Sequence, residues 1–229
     1  MSKRVSHSLL DPFIGPPIKW LYPRLPIPRW FPPEGIVLTG HLVAALGAIG
    51  FAWSTTTTWG GLLAAFGVAG NHFADCIDGT HARSTNQCRN GGELLDHFTD
   101  PLSFAYWILG WALAIGQPEL GTIGIIVLYA TAVLTNIKAK MLGEFTLNTF
   151  GPTEFKTGLV LLGVLLAVLV NQKPANAHFV AYWSLTVAIV VGAISLVVGV
   201  FQSVAEVNRD GAAPDTSEWD TVRENKTQE

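Results

Sequence analysis

From Phe179 to Phe201 the chain runs without a single Asp, Glu, Lys or Arg. That length suits a helix crossing the ~30 Å hydrocarbon core of a bilayer. Five more apolar segments precede it: Gly35–Trp53, Trp59–Ala74, Pro101–Gly116, Gly121–Ile137 and Thr157–Val170. Only 14% of the residues are charged, against roughly a quarter in a soluble domain, and the deficit is concentrated in these runs. A spanning barrel would need alternating apolar and polar strands, which this sequence does not have, so the spans are expected to be helices. Gly35–Trp53 and Phe179–Phe201 reach spanning length outright. The second and third segments reach it only by extending into the polar stretch between them, Asp75–Asp100.

Charge gives the expected orientation. Of the 14 cationic side chains, all but Lys173 fall on one side of an even-numbered topology, which the positive-inside rule makes cytoplasmic. Lys3, Arg4, Lys19, Arg24 and Arg29 precede the first span, and Lys138, Lys140 and Lys156 follow the fourth. The expected fold is therefore an all-α integral membrane domain of six transmembrane helices over residues 35–205. An interfacial amphipathic segment at 1–34 precedes it, because residues 8–31 mix aromatics and Leu with Lys, Arg and Pro. A disordered cytoplasmic tail at 206–229 follows it. Lys3 and Arg4 lead into no continuous apolar core, so no secretory signal is expected. A net charge of −3 without a basic stripe points away from nucleic acid. Cys76 and Cys88 are expected to be free thiols. Trp53, Trp59 and Trp183 are expected to anchor at the membrane interface. Gly60, Gly61, Gly67 and Gly70 give the second span a small-residue face for close helix packing.

The stretch DCIDGTHARSTNQCRNGGELLDHFTD, Asp75–Asp100, concentrates acids at the mouth of two spans. On one helix Glu93, Asp96, His97 and Asp100 fall within an arc of about 100°. Asp75 and Asp78 are one turn apart on the preceding helix. A short connection makes such helices antiparallel neighbours, so four carboxylates can converge. Ionised together they repel, and divalent cations are the hard partners that carboxylate oxygens suit. Two such ions would balance the charge and polarise a phosphate. Arg83 is placed to meet a phosphate oxygen. Gly79 allows close backbone approach or a local break. His97 beside the carboxylate of Glu93 suits proton abstraction near neutral pH. His41 and His72 are expected to make helix–helix hydrogen bonds, and His81 takes no assigned role. Glu144 and Glu154 stand either against a headgroup or in a solvated loop. A cation-coupled transporter would place its acids near the midplane of inverted repeats, whereas these acids sit at a helix end and no repeat is visible.

The spacing Asp-x2-Asp-Gly-x2-Ala-Arg-x8-Gly-x3-Asp-x3-Asp is filled by Asp75, Asp78, Gly79, Ala82, Arg83, Gly92, Asp96 and Asp100. It resembles the signature of the CDP-alcohol phosphotransferase family. GGELLDH resembles the choline and ethanolamine branch, as do LLDPFIGPPIKWLYPRLPIP, FPPEGIVLTG and MLGEFTLNTFGPTE. Pro33-Glu34 stands where the family usually has Pro-Asn. The resemblance implies transfer of phosphocholine or phosphoethanolamine from a CDP-alcohol to diacylglycerol, with release of CMP. A transfer from CDP-diacylglycerol to a soluble alcohol (inositol, glycerol phosphate or serine) is the alternative. It implies that Asp75, Asp78, Asp96 and Asp100 hold two divalent ions, Mg²⁺ or Mn²⁺. Gly79, Ala82, Arg83 and Gly92 would shape the donor pocket, with His97 as general base and Glu93 beside it. It further implies a homodimer among membrane lipids. The six-span catalytic half alone suggests a prokaryotic inner membrane, with both termini and the site cytoplasmic.

Overall fold

Proline opens most of the long helices, where its missing N–H is no loss and its fixed φ matches the helix. A computed structural model, describing residues 3–147, 150–214 and 216, is mostly helical. Its short N-terminal arm holds strand β1 (Lys3–Ser6), helix α1 (Asp11–Leu21) and a 3₁₀ turn at Tyr22–Arg24. The bundle consists of α2 (Pro33–Ala52), α3 (Thr58–Thr85), α4 (Asn90–Ala114), α5 (Pro118–Leu142), α6 (Pro152–Gln172) and α7 (Pro174–Asp210). Strand β2 (Glu144–Leu147) lies between α5 and α6 and pairs in parallel with β1, Lys3 opposite Glu144. The all-α expectation therefore needs this two-stranded addition. Neither strand has a local signal; the pairing joins positions far apart in the chain.

Among the described residues, four helices are by length and composition apolar enough to cross a membrane: α2, α5, α6 and α7. Helices α3 and α4 are also long, 28 and 25 residues, but their acidic ends dilute the apolar run. Both continue unbroken through the polar stretch, α3 past Asp75 and Asp78 and α4 across Pro101. Gly79 interrupts nothing. Thr57 caps α3 by accepting the Gly60 N–H at 3.2 Å, and Asn86 closes it in the left-handed region at φ 62°. Helix α7 runs on to Asp210, and most of the expected tail lies outside the described residues.

Small residues determine which helices touch. A methyl on Gly47 of α2 would come within 3.0 Å of the Cα of Gly67 on α3, and one on Gly163 of α6 within 2.7 Å of the carbonyl of Gly61 on α3. The backbones thus meet directly, as close packing in lipid requires. Helix α4 packs on α2 through Trp107, fully buried, whose indole donates to the Ala44 carbonyl at 2.9 Å. Trp111 donates likewise to Ala181 on α7. These two tryptophans are core residues, whereas Trp53, Trp59 and Trp183 are about half exposed.

The N-terminal arm is tied to the acidic end of the bundle. His81, fully buried, hydrogen-bonds the Tyr22 hydroxyl at 2.9 Å and the Phe31 carbonyl at 2.8 Å. Glu154 at the start of α6 is buried and accepts from the Ser8 hydroxyl, the Leu10 N–H and the Gly151 N–H. Thr153 donates to Asp11. Glu154 is therefore neither a loop carboxylate in solvent nor a headgroup contact: it caps α6 and pins the arm.

Candidate active site

The acids meet because two helix ends and a third helix converge on one spot. Asp75 lies near the end of α3 and Asp96 and Asp100 lie on the first half of α4. One ligand oxygen from each of these three falls within 4.8 Å of the others. Hard oxygen donors at that spacing fit a divalent cation such as Mg²⁺ or Mn²⁺. Asp78, one turn beyond Asp75, is 8% exposed, stays outside this group and accepts the N–H of Gly79. The expected four-carboxylate cluster is thus three residues with the fourth one turn away.

Inserted among them is Lys156 of α6, 1% exposed, its Nζ 2.8 Å from Asp75 Oδ2 and 3.3 Å from Asp100 Oδ1. Sequence reasoning missed it as a site residue. Its only local sign was a cation at the start of an apolar run, which the topology argument had already absorbed. His72 approaches the same Asp75 oxygen at 3.7 Å through Nδ1. It therefore serves this helix rather than a neighbouring one. His41 does cross between helices, meeting Ser103 at 3.0 Å. Cys76 and Cys88 are both free.

The remaining motif residues border the cluster. Arg83 is exposed, and its guanidinium lies over Gly79, where a methyl would come within 3.2 Å of it. Ala82 is partly buried, and its carbonyl ends α3 by accepting from Asn86 and Gln87. Gly92 lies in the first turn of α4, where a methyl would be 3.7 Å from Glu34 Oε1. Glu34 also approaches Arg89 at 3.6 Å. The residue that departs from the family's Pro-Asn therefore sits against a motif glycine.

Glu93 and His97 share the α4 face with the aspartates but line a separate space. A cavity of about 560 Å³ is bounded by Asn90, Glu93, Leu94, His97, Phe98 and Asn136. A second, about 360 Å³, adds Lys140 and Phe145 to Glu93, His97 and Asn136. The His97 ring lies 4.9 Å from that of Phe145 on β2. Leu94 and Phe98 are 71% and 65% exposed and stand among the polar Asn90, Glu93 and Asn136, so the lining of this space is mixed.

The model of the CDP-alcohol phosphatidyltransferase family matches residues 37–201. The chain belongs to this family. Within it, the chain is similar to cholinephosphotransferase 1 of Gallus gallus, 38% identical over 121 residues, which are 50% of this chain and 35% of that protein. It is similar to cholinephosphotransferase 1 of Homo sapiens, 32% identical over 176 residues, or 70% of this chain and 41% of the relative. The Bos taurus protein of that name is 30% identical over 174 residues, 69% of this chain and 41% of the relative. The chain thus spans less than half the length of these curated relatives. They are vertebrate proteins and lend the prokaryotic expectation no support. This member of the family thus carries three aspartates with metal-ligand spacing, two of them on α4, and on that helix also His97 at a cavity.

Proposed function

We propose that the chain transfers phosphocholine or phosphoethanolamine from a CDP-alcohol to diacylglycerol and releases CMP. One observation carries this reading: His97 lines a cavity whose rim holds the exposed apolar residues Leu94 and Phe98, on the same helix that carries Asp96 and Asp100. In this reading the acyl body of the acceptor lies against the Leu94 and Phe98 side chains and its hydroxyl reaches His97. Similarity to cholinephosphotransferases supports the same choice.

In this reading Asp75, Asp78, Asp96 and Asp100 hold two divalent ions, Mg²⁺ or Mn²⁺. Bound there, such ions would polarise the pyrophosphate and neutralise charge on the departing nucleotide. Arg83 offers two parallel N–H donors to a phosphate oxygen. Gly79, Ala82 and Gly92 keep the approach free of side-chain bulk. His97 takes the proton of the acceptor hydroxyl, and the Glu93 carboxylate orients the ring. The oxygen then bonds to the β-phosphorus, the bond from that phosphorus to the bridging oxygen breaks, and CMP leaves with that oxygen.

The same proposal takes α3 and α4 as spans with their acidic ends in the cytoplasm, giving six in all, and residues 1–34 as interfacial. It also includes a homodimer. A matrix of donors and acceptors scored for CMP release tests the chemistry. CMP is expected only with a CDP-alcohol, diacylglycerol and Mg²⁺ or Mn²⁺ together. Release from CDP-diacylglycerol with a soluble alcohol would reverse the direction of transfer.

A further inference from the structure

A lysine on a membrane helix normally extends its amine to water. Lys156 does the reverse. Its side chain is 1% exposed, and its amine points into the aspartate cluster, with the Phe104 ring 5.5 Å from Nζ. An exposed lysine would satisfy the positive-inside rule equally well. Its place near the positive N-terminal end of α6 is also unfavourable for a cation. Burying an ammonium is costly unless carboxylates repay it through good geometry. Here two do, one from α3 and one from α4, and both belong to the group with metal-ligand spacing.

We propose that Lys156 is a built-in counter-cation that joins Asp75 to Asp100 while no divalent ion is bound and competes with that ion for the same carboxylates. The inference rests on reading the aspartates as a divalent-ion site. Four carboxylates on two helix ends would otherwise push α3 and α4 apart. One fixed positive charge from a third helix holds them in register without filling all their lone pairs. Lys156 is a positioning residue in this scheme, acting through Asp75 and Asp100. A unit charge opposing a divalent ion a few ångströms away weakens binding by about tenfold even under water-like screening. Removing the charge should therefore tighten the site.

The test uses the full chain in lipid nanodiscs, with Mn²⁺ binding followed by electron paramagnetic resonance and thermal unfolding measured in EDTA and in excess Mn²⁺. Lys156→Met removes the charge and the hydrogen bonds; Lys156→Gln keeps donors without the charge. Both variants are expected to bind Mn²⁺ at least about tenfold more tightly than the parent. Both should melt earlier in EDTA, Met more than Gln, and recover when Mn²⁺ is added. Unchanged or weaker Mn²⁺ binding in the variants overturns the inference. So does tightening in Met but not in Gln, which would exclude charge as the cause. A variant that stays unfolded with excess Mn²⁺ also overturns it, because a divalent ion should replace the lysine. If the parent protein shows no saturable Mn²⁺ binding, the metal reading of the aspartates fails, and this inference with it.

Discussion

Helices α6 and α7 are consecutive and both apolar, yet they are used in opposite ways. Within its apolar window α6 is 44% buried, and α7 only 6%. Helix α6 meets α3 backbone to backbone at Gly61 and Gly163, and it delivers Lys156 and Glu154 to the acidic end. Helix α7 leans on α5 through side-chain tips, such as Ile189 against Gly124, and leaves Val187, Val190, Val191, Ile194 and Val197 exposed. Lipid tails solvate an apolar face about as well as a neighbouring helix does, so hydrophobicity alone draws no helix inward. Small residues and polar contacts do, and the glycines that bring backbones together here lie on α2, α3, α4 and α6, the helices around the site. The cavity at His97 occupies the seam between the two regimes, with one wall on α4, anchored by Trp107, and the other on the outlying α5.

The largest effect should come from that seam. If His97 is the base, His97→Gln should lower turnover by about a thousandfold, near 4 kcal/mol of barrier, while the melting temperature barely moves. Steady-state CMP release and a thermal scan on the same preparation check both halves. Activity close to the parent's would transfer the base role to another group and detach the cavity from the chemistry. Gly67→Val comes next and acts on the tight region. The added side chain would meet the α2 backbone at Gly47, where no rotamer change relieves the clash. A loss of about 3 kcal/mol is expected, visible as an early unfolding transition with activity falling alongside it. A variant that melts normally would show that α2 and α3 have slack, and the contrast with α5 and α7 would weaken.

Much of this division is written in local pattern, and the rest depends on contacts between distant parts of the chain. Asp75, Asp96 and Asp100 could be brought together on paper because helical periodicity and a short connection suffice to place them. The glycine face of α3 was visible for the same reason. Lys156 was not, since a lysine beginning an apolar run looks the same whether it faces water or carboxylates. His81 looked idle because its partners, Tyr22 and Phe31, lie some fifty residues away on an irregular arm. Trp107 and Trp111 resemble interface anchors by composition, and only the bundle shows each indole donating to a carbonyl on another helix. The pairing of β1 with β2 had no local signal. Asp78 shares the expected face with Asp75, yet a single turn takes it outside the three-residue group.

The smallest effect tests the loose side directly. Val191 on α7 is 53% exposed. In lipid, Val191→Ala exchanges two methyl groups facing acyl chains for more acyl chain, and no water is excluded or admitted. The expected change in stability is under about 0.5 kcal/mol, measured by denaturant titration in the same nanodiscs as Gly67→Val. A loss of more than about 1 kcal/mol would resemble truncation at a packed position. Something would then have to cover α7 in the membrane, and the proposed homodimer supplies a candidate: a second copy seated on the Val187–Val197 face. Repeating the titration at several protein-to-lipid ratios separates the cases. A lipid-facing valine gives the same small number throughout, whereas one buried between copies gives a loss that shrinks toward that number as dilution separates the protomers.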